Sequence, residues 1–368
     1  MGPAWTISLA LNITLCISMY AVASTGPPYP SSPVIQKMVW APPDTIVRKA
    51  IGSDNFPVTW ADDDALYVTW GDGWGFAPRV PKKLSMGFAR IVGPASDFKG
   101  ENIRSSAEQV GDGRSGRKGW GLISVDGVLY LWMGHADQRG GQAQLDWSDD
   151  RAHTWTFADW GFSEFGLVGF INFGRDNEQA RDDHVYSYSH DGPLADTPAD
   201  RFILMRAPKD RITERGAWEF LERLDKSGQP VWTRDVKRRG AVFKHTDGCL
   251  RSTMTYNFAL RRYLWWQQMP APKGSRDRGD TRFEGGFGVY DAPEPWGPWS
   301  TVFYTEKWDV GPGEHGDFPA KWISADECEL YLVCSGKDSF SVRKATIELA
   351  GGGASSSRRG GLGIERSR

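Results

Sequence analysis

Residues 52–76 read GSDNFPVTWADDDALYVTWGDGWGF, a stretch that predicts one antiparallel β-hairpin. Two short runs of β-branched and aromatic residues, 58–60 and 65–70, are separated by an acidic turn. In an antiparallel pair, the start of the first strand lies beside the end of the second. Asp54 precedes the first strand and Asp72 follows the second, so we expect their carboxylates at the same edge of a sheet.

The aromatic residues of this hairpin add a second signal. Trp60, Trp70, Trp74 and Phe76 are expected to lie near the two carboxylates, and sugar rings stack on aromatic faces. Most glycoside hydrolases cleave the glycosidic bond with a pair of carboxyl groups at one cavity. The local sequence also fits a simpler interpretation, in which each Asp only completes a turn.

The composition favours an all-β chain that acts on a neutral partner. The 368 residues include 18 Trp, 18 Phe, 11 Tyr, 43 Gly and 22 Pro, which is typical of many short strands and tight turns. The formal net charge of −2 gives no broad attraction to nucleic acid or to an anionic membrane. We therefore expect a polysaccharide substrate, no nucleic-acid partner, no stable membrane insertion and a monomer.

The first residues of the chain predict export. Residues 7–22 are almost entirely apolar, and Ala21 and Ala23 occupy the positions that a signal peptidase reads. Residues 1–23 are therefore predicted to be a signal peptide, and the mature protein is expected to be secreted or periplasmic. A membrane anchor is the alternative, although the apolar run is shorter than the roughly 20 residues of a membrane span.

A single folded domain is expected at 45–350, between a Pro-rich lead-in at 24–44 and a disordered basic tail at 351–368. Within the domain, a unit of paired strands recurs five times at a spacing of about 60 residues. The fourth unit is expected to begin with AVFKHTDGC, from Ala241. Radial repetition of small sheets protects the strand edges of an all-β chain. We predict a five-bladed β-propeller, with a β-sandwich or two successive sandwiches as alternatives.

One local motif supports the propeller prediction. Residues 148–155, SDDRAHTW, resemble the Asp-box turn of sialidases and related propellers, with Ala152 where Gly is usual. In that turn the Asp side chain bonds the backbone of its own hairpin, so Asp150 is expected to be structural rather than catalytic. Ala152 is expected to adopt a positive φ, and Trp155 to pack between blades.

Four further residues are candidates to line the site. Glu284 opens a strand beside two glycines, His135 ends a strand of the second unit, and His315 and Asp317 lie in the string EHGD before the last unit. Each also fits an ordinary structural or rim residue. Three cysteines remain after the predicted signal without a CxxC pair, so we predict no metal site and no cofactor. The sequence contains no GxSxG, HExxH or phosphate-loop motif.

Three segments carry a family resemblance: 52–76, FGVYDAPEPWGPWSTVFY, and the run from FPAKWIS to ATIEL. They resemble the secreted bacterial proteins grouped as domain of unknown function 4185, over roughly residues 45 to 349. Some members are retaining endo-D-arabinanases built as five-bladed propellers, and the resemblance places their catalytic pair at Asp54 and Asp72. The chain departs from the arabinan-cleaving members in reading GSDNFPV and GDGWG at these motifs, which leaves the substrate open.

The sequence therefore supports two classes of function. The first is a retaining glycoside hydrolase that acts on a furanose-containing, arabinan-like polysaccharide through Asp54 and Asp72. The second is a glycan-binding propeller that does not cleave, in which the carboxylates are too far apart or are bonded to other groups. A sialidase-like exo-hydrolase is a third alternative, and it requires three Arg residues that face the central cavity.

Overall fold

A computed structural model describes residues 1–2, 26–271, 274, 280–325 and 328–351 of the chain. The body of the predicted signal peptide and of the predicted basic tail lies outside the described residues. The described chain is all-β, with short 3₁₀ turns between strands. The 3₁₀ turns span Pro43–Thr45, Gly113–Ser115, Arg175–Asn177, Lys209–Arg211, Arg215–Ala217, Val236–Arg238 and Ala320–Trp322. Over these residues, no helix has the length and apolar character needed to cross a membrane.

The strands fall into five successive units, preceded by β1 (Ile35–Trp40) and β2 (Val47–Lys49). Unit 1 contains β3 (Val58–Trp60), β4 (Leu66–Trp70), β5 (Leu84–Val92), β6 (Lys99–Ile103) and β7 (Gln109–Val110). Unit 2 contains β8 (Lys118–Val125), β9 (Val128–Gly134), β10 (Ala143–Ser148) and β11 (Thr156–Phe162). Unit 3 contains β12 (Val168–Asn172), β13 (His184–His190), β14 (Ala199–Pro208), β15 (Glu219–Leu224), β16 (Pro230–Thr233) and β17 (Phe243–Cys249). Unit 4 contains β18 (Ser252–Asn257), β19 (Arg262–Gln268), β20 (Phe287–Ala292) and β21 (Ser300–Thr305), and unit 5 contains β22 (Gly316–Asp317), β23 (Glu329–Cys334) and β24 (Phe340–Leu349).

The two ends of the described chain meet in one sheet. Within each unit, neighbouring strands pair antiparallel, and the first strands of units 3 and 4 are joined by a parallel pairing of β12 with β18. β24 of unit 5 also pairs with β1 and β2. The lead-in predicted for 24–44 therefore contributes an edge strand to the sheet of unit 5.

One predicted unit boundary was wrong. β17, which the sequence assigned to the fourth unit, pairs with β14, with Phe243 opposite Phe202. This pairing adds the strand to unit 3, and Phe243 packs against Phe202 of unit 3 and Trp265 of unit 4. Unit 4 therefore begins at β18.

The five largest apolar clusters hold the units together, one between each pair of consecutive units and one between the last and the first. An aromatic pair represents each cluster: Phe88 with Trp155 for units 1 and 2, Trp132 with Phe170 for 2 and 3, Phe202 with Trp265 for 3 and 4, Phe287 with Trp40 for 4 and 5, and Phe340 with Phe56 for 5 and 1. Full burial of one such side chain stabilises the fold by about 1.5–3 kcal/mol. The units thus bury their sheet faces against each other.

The predicted Asp-box turn is confirmed. The Asp150 carboxylate accepts hydrogen bonds from the backbone N–H of Thr154 (2.8 Å) and from the hydroxyls of Ser148 (2.9 Å) and Thr154 (2.6 Å). Ala152 has a φ of 70°, as expected for a residue in place of Gly. Trp155 stacks on Phe88 of unit 1 at 5.1 Å between ring centroids, so the turn fastens unit 2 to its neighbour.

Candidate active site

The first hairpin brings Asp54 and Asp72 to the same edge, as predicted. β3 pairs with β4, with Val58 opposite Val68, and the pairing continues to a bridge between Asp54 and Gly71. The Asp54 N–H donates to the Gly71 carbonyl at 2.9 Å. A Cβ at Gly71 would lie 2.7 Å from Asp54 Oδ1, so only glycine allows this close approach. Both carboxyl groups line one cavity of about 190 Å³.

All five units contribute side chains to this cavity, which we call the axial cavity. One set comes from the start of each first strand, or from just before it: Asp54, Lys118, Leu167, Arg251 and Glu314. A second set comes from the loop after the second strand of units 1 to 4: Asp72, His135, Asp196 and Arg282. In antiparallel units these two positions share an edge, so the rule that joins Asp54 to Asp72 repeats around the molecule.

Asp72 is held by a buried ammonium group. Lys118 Nζ forms an ion pair with Asp72 Oδ1, and the Gly113 N–H donates to Oδ2 at 2.9 Å. The Lys118 side chain is 6% exposed and that of Asp72 is 21% exposed. Asp72 has a φ of 39°, which turns the loop after β4 toward the cavity. These two donors hold the Asp72 carboxyl group in a fixed position.

Asp54 has the opposite environment. It is 4% exposed, and its Oδ1 is buried without a hydrogen-bond partner among the described residues. Burial raises the pKa of Asp54 well above its ordinary value, and the nearby carboxylates of Glu314 and Asp72 raise it further against the opposing charge of Lys118. The cavity therefore holds one carboxyl group that favours its protonated form beside one that is ion-paired.

Arg251 organises the opposite wall of the axial cavity. Its guanidinium is buried, pairs with Asp196 at 2.6 Å and Glu314 at 3.3 Å, and lies 5.5 Å from the ring of Trp120. Burial opposes ionisation of Asp196, but the Arg251 charge and other cationic neighbours lower its pKa overall. For Glu314, burial outweighs Arg251 and raises the pKa. Arg282 closes the ring of charges through a bidentate pair with Asp280 at 2.8–2.9 Å.

The two predicted histidines differ in position. His135 lines the cavity, with Nδ1 3.2 Å from the Gly116 carbonyl, and burial lowers its pKa. His315 is 1% exposed and packs edge-on against Trp120, at 6.0 Å between ring centroids, and burial lowers its pKa to about 3. His315 is therefore a neutral buried group behind Trp120 rather than part of the cavity lining.

Asp317 and Glu284 also lie off the cavity lining. Asp317 is buried in β22 and accepts a hydrogen bond from the Thr255 hydroxyl at 3.2 Å, which links unit 5 to unit 4. Burial raises its pKa to about 7. Glu284 is exposed. Its loop carries Arg282 into the cavity instead, because only one side of that loop faces inward.

The prediction that the hairpin aromatics surround the carboxylates was wrong. Trp70 and Phe76 are 1% and 2% exposed in the apolar cluster between units 5 and 1. Trp74 is half-buried and packs at the edge of that cluster, with Arg79 and Lys83 near its ring. Trp60 lies at the other end of the hairpin, where its indole N–H donates to Asp64 at 3.0 Å. The hydrophobic effect draws these rings into the seam between units, away from the polar cavity.

Trp120, Asp196, Arg251 and Glu314 are among the site residues that the sequence reasoning did not select. Their shared signal is position, because each lies near the start of a first strand or in the loop after a second strand. Applying the Asp54 and Asp72 rule to every unit identifies three of them. Trp120 lies inside β8 at an irregularity between Gly119 and Gly121, so the rule does not identify it.

No family model and no curated protein matches the chain. Among solved structures, it is similar to a GH43_1 enzyme from Xanthomonas citri, with 14% identity, a TM-score of 0.44, and coverage of 83% of this chain and 94% of that chain. It is also similar to an α-L-arabinofuranosidase from Podospora anserina (10% identity, TM-score 0.46, 84% and 93% covered). A third similar structure is the catalytic domain of a GH62 α-L-arabinofuranosidase from Coprinopsis cinerea (11% identity, TM-score 0.46, 81% and 91% covered). An activity for this chain has to rest on the residues of its own cavity.

Proposed function

We propose that this protein is a glycoside hydrolase, and that its five units are the blades of a five-bladed β-propeller with the axial cavity at one end of the central axis. The five apolar clusters, the last of which joins unit 5 to unit 1, support a ring of blades. The sharing of one sheet by the two ends of the described chain supports the same closure. Export and membership in the family of domain of unknown function 4185 are part of the proposal.

The observation that carries the hydrolase proposal is the pairing of two unlike carboxyl groups at one cavity. In the proposed mechanism, Asp54 donates its proton to the glycosidic oxygen while the Asp72 carboxylate attacks the anomeric carbon. The bond to the leaving sugar breaks and an ester to Asp72 forms. The Asp54 carboxylate then takes a proton from water, which cleaves the ester and restores both groups with retention of configuration.

The charges of the axial cavity favour a neutral substrate. Arg114, Arg251 and Arg282 line it, as the sialidase-like alternative requires, but each is paired with a carboxylate. Among the described residues of the cavity, no net positive charge remains to attract an acidic sugar. We propose a furanose-containing polysaccharide as the substrate class. A volume of about 190 Å³ is below the roughly 300–1,000 Å³ of pockets that enclose drug-sized ligands, so the cavity fits a single sugar residue.

The ion pair between Asp72 and Lys118 supports a second candidate, a glycan-binding propeller without activity. An attacking carboxylate has to leave this ammonium group or react beside it. Both candidates are expected to bind the polymer, so a binding measurement does not distinguish them. Only the release of product does.

The test is a screen of the purified protein against arabinan, arabinogalactan and other furanose polymers, together with Asp54→Asn and Asp72→Asn. We expect reducing sugar from the parent, a loss of at least about 1,000-fold in each variant, and a product whose anomeric configuration by NMR is retained. Product release that survives both substitutions contradicts the assignment of the pair. Polymer binding without any product supports the glycan-binding candidate.

A further inference from the structure

A second cavity lies at the far end of the first hairpin, between units 1 and 5. Its volume is about 620 Å³, which is within the range of small-molecule sites. Trp60 and Asp64 line it from the end of β3 and the turn, and Lys321 and Tyr331 line it from unit 5. The path from Asp54 to Trp60 spans six residues, or about 20 Å of extended chain at roughly 3.3 Å per residue. The two cavities are therefore separate.

The walls of this cavity, which we call the seam cavity, combine aromatic rings with fixed polar groups. Trp60 and Tyr331 are half-buried, so part of each ring remains open. The indole N–H of Trp60 donates to Asp64 at 3.0 Å, and Lys321 Nζ lies 5.5 Å from the centre of its ring. Trp322 forms a buried side wall, and its indole N–H donates to the Gly93 carbonyl at 3.3 Å. The hydrogen bond orients the Trp60 ring before any ligand arrives.

The charged groups of the seam cavity neutralise each other. Asp63 pairs with Arg90 at 3.1 Å and Arg151 at 2.7 Å, and Asp64 pairs with Lys321 at 2.6 Å. A site with balanced charges, hydrogen-bonding groups at its rim and open aromatic surface suits a neutral ligand that carries hydroxyl groups. Saccharides are ligands of this kind.

Among the described residues that line the seam cavity, no carboxyl group is suited to donate a proton to a leaving sugar. Although burial opposes ionisation of Asp63, the Ala65 N–H and the Arg90 and Arg151 guanidinium groups lower its pKa. The hydrogen bond from Lys321 lowers the pKa of Asp64. Both carboxylates therefore stay ionised, and neither serves as a proton donor to a leaving sugar.

We propose that the seam cavity is a second, non-catalytic saccharide-binding site, in which a short run of neutral sugar residues stacks on Trp60 and Tyr331. The proposal rests on the proposed function only in the choice of a polysaccharide as ligand. A second contact with the polymer raises the local concentration of cleavable bonds at the axial cavity without adding to the chemistry.

The test measures binding apart from hydrolysis. The parent background is Asp72→Asn, which is expected not to cleave, and native gels contain arabinan or arabinogalactan. We expect retardation of Asp72→Asn, a loss of at least tenfold in affinity when Trp60→Ala is added, and retention when Trp60→Phe is added, because phenylalanine keeps an aromatic face. Trp147→Ala is the matched control, since Trp147 is a half-buried β10 residue that lines neither cavity.

Equal retardation of Trp60→Ala and its parent, with a melting temperature that shows a folded protein, overturns the proposal, as does the absence of retardation in both polymers. Failure of the proposed function is a separate result, because it is measured as product release by the unsubstituted protein. A chain that binds through Trp60 but releases no product keeps the second site and loses the hydrolase.

Discussion

The two ends of the first hairpin carry the same pair of residue types in different surroundings. Lys118 pairs with Asp72 at the axial cavity, and Lys321 pairs with Asp64 at the seam cavity. The Asp72 side chain is 21% exposed, whereas that of Asp64 is 61% exposed. Coulombic interactions strengthen as water is excluded, so the same pair has a larger effect at the axial end.

The pKa shifts of the aspartates also differ between the two ends of the hairpin. At the axial end, burial raises the pKa of Asp54, and other carboxylates nearby raise it further. At the seam end, hydrogen bonds and cations lower the pKa values of Asp63 and Asp64. One hairpin therefore carries a carboxyl group with a raised pKa at one end and carboxyl groups with lowered pKa values at the other, as the proposed division between cleavage and binding requires.

The largest expected effect is the loss of stability when the lysine of the axial pair is replaced. Lys118→Met leaves Asp72 without its buried partner and places Asp54 beside an uncompensated negative charge. Breaking a buried pair costs about 3–5 kcal/mol, so we expect a loss of that size in the free energy of unfolding. Lys321→Met, the matched change at the pair whose carboxylate is 61% exposed, is expected to cost less than about 1 kcal/mol. Urea unfolding of both variants measures the difference. Equal losses contradict the division into a buried and an exposed end.

The sequence predicted the relation between Asp54 and Asp72 because hairpin pairing is local. It did not predict the orientation of Trp70 and Phe76, because which face of a strand is buried depends on the packing of unit 5 against unit 1. Trp60 was misplaced for a related reason, since strand direction puts it at the turn end of the hairpin.

The opposite wall of the axial cavity was beyond local reasoning for another reason. Arg251 and Glu314 come from units 4 and 5. The strand rule identifies their positions, but pairing within the first hairpin does not place them beside Asp54. The division of the all-β chain into repeating units was accessible, because alternating strands and turns recur along the sequence. The sequence did not predict that β17 belongs to unit 3 rather than unit 4, because β17 lies between the two units in the chain and could pair with either.

The pH dependence of stability provides a second test. Asp54 holds its proton more tightly in the folded chain than in the unfolded chain, so its contribution to stability is full below about pH 4 and is lost as pH rises through the raised pKa. Asparagine does not ionise, so Asp54→Asn does not lose stability in this way as the pH rises. We expect the variant to gain melting temperature relative to the parent at pH 8 and little at pH 4.

Asp64→Asn is the control for that experiment, because the pKa of Asp64 is lowered and the sign reverses. Its parent contribution is present above about pH 4 and is lost only as pH falls through the lowered pKa. We expect no gain in melting temperature for this variant at pH 8. An equal gain in melting temperature for Asp64→Asn and Asp54→Asn contradicts the assignment of a buried carboxyl group with a raised pKa to the axial end.

A several-fold effect is expected at the rim of the axial cavity. Phe283 is 63% exposed and directly follows Arg282, which lines the cavity. Phe258 is 60% exposed in the turn between β18 and β19, at the opposite edge of the same unit. If a polymer leaves the cavity across the rim, Phe283→Ala raises KM for the polymer about threefold to tenfold and leaves kcat unchanged, whereas Phe258→Ala changes neither. Equal KM values for the two variants contradict a polymer contact at Phe283.

The smallest expected effect is on the chemical step after a change at the seam end. Asp63→Asn weakens the pairs with Arg90 and Arg151 but leaves every group of the axial cavity in place. Because the two cavities have no lining residue in common, we expect kcat on a short soluble oligosaccharide to stay within about twofold of the parent. On a long polymer, KM should rise, since the second saccharide contact is weakened. A large fall in kcat on the short substrate shows that the hairpin transmits changes from one end to the other, and that binding and cleavage are not divided between them.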